Sequence, residues 1–183
     1  MSPPLFRTAR PASSALNLLK TLAQIVVVWT FALVLLPAIV VAVESALDIP
    51  RWQSDATRRA GTIAFLAGSA TGLWSAWLMA VRGKGTPVPF DAARELVIEG
   101  PYRVVRNPMA VSAVVQTIGV AIILGSTGTL TLALGGGLVW HAGIRPSEER
   151  FLVARFGAPY EDYRRHVRCW VPRWPPFSGR GSR

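Results

Sequence analysis

The chain has 183 residues, an apolar fraction of 51% and a mean hydropathy of +0.35, yet it carries a formal charge of +10 and a sequence pI near 11.3. Charged residues make up only 16% and cluster between long uncharged runs, which excludes an ordinary soluble globule and leaves nucleic-acid binding a poor account of so basic a chain. One small integral membrane domain with basic loops fits, and the single cysteine, Cys169, leaves no partner for an intramolecular disulfide.

The basic segment 1–20 comes first, with Arg7, Arg10 and Lys20. Residues 21–43 contain no charge. A helix needs about 20 apolar residues to cross a bilayer core, and secretory h-regions run only about 7–15, so this run reads as an anchored first span. Pro37 is expected to kink it or end its regular part. Residues 60–81 form the second span; Gly68 and Gly72 give it a small face that a neighbouring helix can approach closely.

Residues 107–144 are again uncharged. At about 1.5 Å per residue a single helix of that length would far exceed the membrane, and the turn-forming stretch from Gly125 to Gly128 breaks it. The expected result is a helical hairpin, 107–124 and 128–144, which makes four spans in a transmembrane domain 21–144. Asn107 is a good N-cap and Pro108 suits the first helical turn. A loop, 82–106, and a segment, 145–183, lie outside the bilayer, and the extreme termini read as disordered. With four spans both termini share a side with the 82–106 loop, and that side holds seventeen Lys and Arg against three. The positive-inside rule puts it in the cytoplasm.

A hairpin brings the two ends of its arms together. Arg103 and Arg106, just before the third span, are thereby expected beside Arg145, Glu148 and Glu149, just after the fourth. Guanidinium and carboxylate groups meeting at a membrane face suit a zwitterionic ligand, an Arg holding its carboxylate and a Glu its ammonium. His141, inside the fourth span, is an ordinary packing residue or a base. Cys169 reads as an incidental interfacial residue, and Trp170 and Trp174 as interfacial anchors.

The ordered set "GKGTPVPFDAARELVIEGPYRVVRNPM", a hairpin, then "EERFLVARFGAPYEDYRRHVRCWVP" resembles the isoprenylcysteine carboxyl methyltransferase and phospholipid methyltransferase superfamily, in its bacterial isoprenylcysteine-methyltransferase-like branch, over about residues 83–172. The resemblance implies an all-α membrane methyltransferase of a bacterial inner membrane that uses S-adenosyl-L-methionine, leaves S-adenosyl-L-homocysteine, needs no metal, and completes its cofactor site with a cytosolic C-terminal segment. It carries cofactor roles to Gly83 and Gly85 (a GxG element), to Tyr102, Arg103, Arg106, Asn107 and Pro108, to Glu148 and Glu149, and to Tyr160 and Tyr163. Asn107 stands where many members have His, and Ala110 where Tyr is frequent.

The acceptor is then a lipophilic molecule entering from the bilayer. A carboxylate needs no general base, and the sequence offers few bases, so carboxyl O-methylation of an isoprenoid or prenylcysteine-type acid is expected, with Arg145 holding the acid bidentately and Glu149 at the reacting centre. N-methylation of a phospholipid amine is the alternative. Two readings of another class are an NADPH-dependent membrane reductase, against which the paired glutamates count because they would repel a 2′-phosphate, and a non-enzymatic membrane scaffold.

Overall fold

A computed structural model describes residues 6–178. The disorder expected at the chain ends falls largely on residues 1–5 and 179–183, outside the described residues. Among those described the protein is all-helical, its only sheet-like pairing an isolated bridge between Thr8 and Ala92.

The first run forms one continuous rod, Ser14–Ala46. It comprises α1 (Ser14–Trp29), a π-helical turn (Thr30–Leu35) and α2 (Leu36–Ala46). Pro37 does not end the helix. A proline lacks an N–H and its ring crowds the carbonyl four residues earlier; here the strain is relieved upstream, where the Leu36 N–H reaches back five residues to Phe31 O. The same device recurs before Pro146. There α5 (Thr127–Val139) passes through a π turn (Trp140–Ile144), with Arg145 N–H on Trp140 O, into α6 (Arg145–Phe156). The helix therefore runs well beyond residue 144. Gly157, at φ +57 and ψ −136, adopts a conformation only glycine takes without strain and separates α6 from α7 (Ala158–His166).

α3 (Asp55–Val81) starts with a capping box, in which Ser54 accepts the Thr57 N–H and Thr57 accepts the Ser54 N–H. It packs along α4 (Pro108–Leu124) through small residues. A methyl added at Gly61 would lie 2.7 Å from Gly119 O, and one at Gly119 would lie 2.7 Å from the Phe65 nitrogen. Gly68 and Gly72 face Gln116 and Ser112 of α4, so the small face read from the sequence does meet another helix. The α4–α5 hairpin closes through Gly125 in the left-handed region (φ +60), with Ser126 N–H on Ala121 O and Gly125 N–H on Ile122 O. Those two bonds make a Schellman cap. Ser126 then caps α5 by accepting the Thr129 N–H at 3.0 Å.

α2 reaches this hairpin through Glu44. The carboxylate, buried inside the helix and not in the following loop, accepts the Gly128 N–H at 2.6 Å. An anion at the first turn of α5 meets the positive end of its dipole, tying the first rod to the last.

Two helices, Ser14–Ala46 and Asp55–Val81, are long and apolar enough to cross a membrane; Pro108–Leu124 is apolar but shorter. Leu22, Val26, Val27, Phe31, Ile63 and Leu66 are all more than half exposed. Bare apolar side chains along two such rods belong in a lipid solvent.

Candidate active site at the polar end of the bundle

The segment between α3 and α4 is held by backbone bonds from both termini of the chain. On one side the Ala9 N–H meets Ala92 O and the Ala92 N–H meets Arg7 O, both at 2.9 Å. On the other, Arg106 N–H bonds Arg168 O, Arg173 N–H bonds Val104 O, and Phe177 N–H bonds Arg103 O. Buried Tyr163 adds its hydroxyl to Tyr102 O at 2.6 Å. The tail is thus stitched onto residues 102–106, which fixes the direction in which Arg106 and Asn107 point.

Between these elements lies a cavity of about 430 Å³. Its charged wall brings Arg106, though not Arg103, together with Arg145, Glu148 and Glu149. Arg106 Nη2 lies 2.5 Å and Arg145 Nε 2.8 Å from Glu149 Oε1, and Arg164 Nη1 lies 3.8 Å from Oε2. Arg106 is almost wholly enclosed, its side chain 9% exposed, and its Nη1 donates to Arg164 O at 3.0 Å. The bond to Glu149 holds the Arg145 guanidinium charged more firmly than usual, against the opposing effect of burial.

Glu148, the next residue, is treated differently. Its Oε2 accepts from Asn107 Nδ2 at 3.2 Å. Burial first, and the neighbouring Glu149 charge second, push its carboxyl up to about 7 against the pull of Arg106. Asn107 also caps α4, its Oδ1 accepting the Ala110 N–H at 3.1 Å, as the sequence suggested. That second bond fixes which end of the amide faces Glu148.

Eight of the residues singled out from sequence line this cavity: Tyr102, Arg106, Asn107, Arg145, Glu148, Glu149, Tyr160 and Tyr163. Burial raises all three tyrosine hydroxyls, so they stay protonated donors. Four residues lie outside the wall. Gly83 and Gly85 pack under the loop, where a methyl on Gly85 would sit 2.7 Å from Ala93 Cα. Arg103 is exposed, its Nε donating to Phe177 O at 2.7 Å. Pro108 is buried at the start of α4. His141 is engaged by its neighbours, with Trp170 Nε1 donating to its Nδ1 at 2.8 Å and Arg145 Nη1 at 3.1 Å.

Sequence reasoning missed the opposite wall, which includes Phe6, Gln24, Trp29, Thr86 and Leu96. Gln24 donates to Thr86 Oγ1 at 3.2 Å. Its signal was available, because an amide inside an uncharged span marks a helix face turned away from lipid. Phe6 stacks on Phe151 at 5.7 Å, and no pattern near the N-terminus announces that.

The phospholipid methyltransferase family model matches residues 56–159, more than half of the chain. The chain belongs to that family. Nothing matches it among curated proteins or among solved structures. The matched stretch of this methyltransferase-family chain contains the Arg106–Glu149 pair, Glu148 and Asn107. The first helical rod and the tail tyrosines lie outside it but complete the cavity.

Proposed function

We propose that the protein is a membrane-embedded methyltransferase that takes its methyl group from S-adenosyl-L-methionine and gives it to a lipophilic acceptor. Four spans, 21–43, 60–81, 107–124 and 128–144, would place the termini and the cavity on the cytoplasmic side of a bacterial inner membrane, where the excess of Lys and Arg belongs.

The observation that carries the reading is the charged wall of the cavity. The methyl donor's amino-acid part is a zwitterion, and Arg106 with Glu149 supplies one group of each sign within a single ion pair. A cavity of about 430 Å³ lies within the ordinary range for small-molecule sites, roughly 300–1,000 Å³, and most of its remaining lining is apolar. The residues therefore fit the group. Arg106 would take its carboxylate and Glu149 its ammonium, Asn107 and the protonated tyrosines would donate to its remaining polar atoms, and Gly83 and Gly85 would act by letting the loop pack closely. When bound, the donor supplies an activated methyl on a sulfonium sulfur.

What the chain adds is alignment, which alone can be worth about 7–11 kcal/mol. Arg145, anchored by Glu149 and next to His141, orients an acceptor head group at the charged end. Val28, Trp29, Met109 and Trp140 cover its apolar part and keep water out. Both a carboxyl acid of isoprenoid type and a phospholipid amine fit such a site.

The experiment is thermal stabilisation of the detergent-purified protein. S-adenosyl-L-homocysteine at 100 times its dissociation constant should stabilise by about 2.7 kcal/mol, and NADPH should not. Stabilisation by NADPH alone, or by neither, overturns the reading. Glu149→Gln and Arg106→Ala should each weaken homocysteine-product binding; unchanged affinity in both removes their assigned roles.

A further inference from the structure

Two adjacent glutamates face one cavity, yet their surroundings assign them different work. Glu149 is held by cations, its Oε1 shared by Arg106 and Arg145, while its Oε2 has only Arg164 at 3.8 Å and is the oxygen with room for an ammonium. The contacts of this carboxylate are all to guanidinium groups. Glu148 makes no ion pair among the described residues, and its one side-chain partner is the neutral amide of Asn107 on Oε2. That amide can neither take nor give up a proton, and its orientation is locked by the cap on α4. Oε1 is therefore the atom of Glu148 left to carry a proton.

We propose that Glu148 is the proton acceptor of this site, serving an acceptor lipid whose nucleophilic atom carries a proton until the moment of transfer. The inference rests on the methyltransferase reading above. An N–H or O–H bond of the acceptor breaks and an O–H bond forms at Glu148 Oε1. The lone pair so released forms the bond to the methyl carbon of a sulfonium donor, and the electron pair of the broken C–S bond remains on sulfur. Glu148 then returns its proton to water on the basic side of the bundle.

The groups facing Glu148 support this division. Arg106 approaches from the loop, Glu149 and Arg145 from its own helix, Tyr102 from the turn before α4, Tyr160 from α7 and Cys169 from the tail. Three groups of this wall carry positive charge, Arg106, Arg145 and, from α7, Arg164, and all three reach Glu149 rather than pairing with Glu148. Burial and the Glu149 charge bring the Glu148 carboxyl to about 7, where a general base is most effective near neutral pH. Asn107 beside it is a neutral amide, so the titrating group of this contact is Glu148. The expectation of carboxyl methylation rested on a shortage of bases, and Glu148 supplies one.

The test has two parts. Infrared titration of the detergent-solubilised protein, with no cofactor added, should show a protonated carboxyl band disappearing near pH 7. The band should be lost in Glu148→Gln, and kept but shifted to lower pH in Glu149→Gln. In turnover, phosphatidylethanolamine vesicles and a prenylated thioether acid are offered as acceptors. Glu148→Gln should lose about 100-fold or more at pH 7 on the acceptor that the wild type methylates, together with the acidic limb of the rate profile, while stabilisation by S-adenosyl-L-homocysteine persists; loss of that stabilisation would return Glu148 to the cofactor role implied by the resemblance and overturn the proposal. A variant within about threefold of wild type on that acceptor, or a carboxyl band that does not titrate near neutrality, overturns the proposal. If S-adenosyl-L-homocysteine fails to stabilise the wild type, it is the methyltransferase reading that falls; the infrared titration still reports on Glu148 alone.

Discussion

Replacing Glu149 by glutamine removes the one carboxylate that Arg106 touches. Arg106 would remain in place, because its backbone N–H is tied to Arg168 O and its Nη1 to Arg164 O. It would be an enclosed cation whose remaining acidic neighbour, Glu148, makes no ion pair with it. Breaking a buried pair from one side costs about 3–5 kcal/mol, and the surviving carbonyl contact argues for the lower end, about 3 kcal/mol. The reverse change, Arg106→Ala, leaves Glu149 still bonded by Arg145 at 2.8 Å, so a smaller loss of about 1–2 kcal/mol follows from the same reasoning. For a chain of this size each kcal/mol moves the melting temperature by about 2–4 °C. Glu149→Gln should therefore melt roughly 6–12 °C below wild type, and Arg106→Ala about half as far below. Replacing both residues by Met should recover most of the loss while abolishing binding of S-adenosyl-L-homocysteine. Differential scanning fluorimetry of detergent-purified variants reads all three. A Glu149→Gln protein within about 2 °C of wild type, or one more stable than Arg106→Ala, refutes the view that Glu149 holds this wall together.

Other outcomes follow from particular contacts. Gly119→Val should destabilise strongly and push α3 from α4, since the added carbon meets the Phe65 nitrogen and Gly61 O, backbone atoms that cannot yield; the melting temperature of the purified variant checks this. Glu44→Ala should lose about 1 kcal/mol, the usual worth of a cap, with faster hydrogen exchange at the first turn of α5. Tyr163→Phe removes a buried donor from Tyr102 O and should lose about 1–3 kcal/mol, read as a melting shift. Because the folded state holds a proton on Glu148 that the unfolded chain has released, stability should fall as pH rises from about 4.5 to about 7. Glu148→Gln should flatten that slope in melting curves recorded across the same window.

Much of the architecture was legible because it followed from solvent and length. Uncharged runs gave the first three helices, Gly125 with Ser126 gave the hairpin, and the hairpin forced Arg106 to meet Glu149. The sequence was silent where one side chain had two uses. Glu44 looks like a loop charge beside Asp48, and only the fold reveals that its helix continues and delivers it to the first turn of α5. Pro37 signalled a kink or an end, but a π turn before it, like the one before Pro146, lets the helix absorb the missing N–H. The spacing of Glu148 and Glu149 promised a pair of equals. Arg145, four residues before Glu149 on the same helix, was a local sign of their difference; the rest comes from distant partners, Arg106 and Arg164 for one and the Asn107 amide for the other. Phe6 belongs to the cavity through long-range packing alone, whereas Gln24, an amide inside an uncharged span, was a legible sign left unread.

The stacking of Phe6 on Phe151, with the Arg7–Ala9 strand laid against Ala92, means that the leading end of the polypeptide roofs the same chamber that its trailing end walls. Two segments far apart in the chain therefore have to dock before the chamber is whole. A chain cut before residue 160 would keep the Arg106–Glu149 pair and lose the wall that Tyr160 and Tyr163 provide, so the pair alone does not make a site.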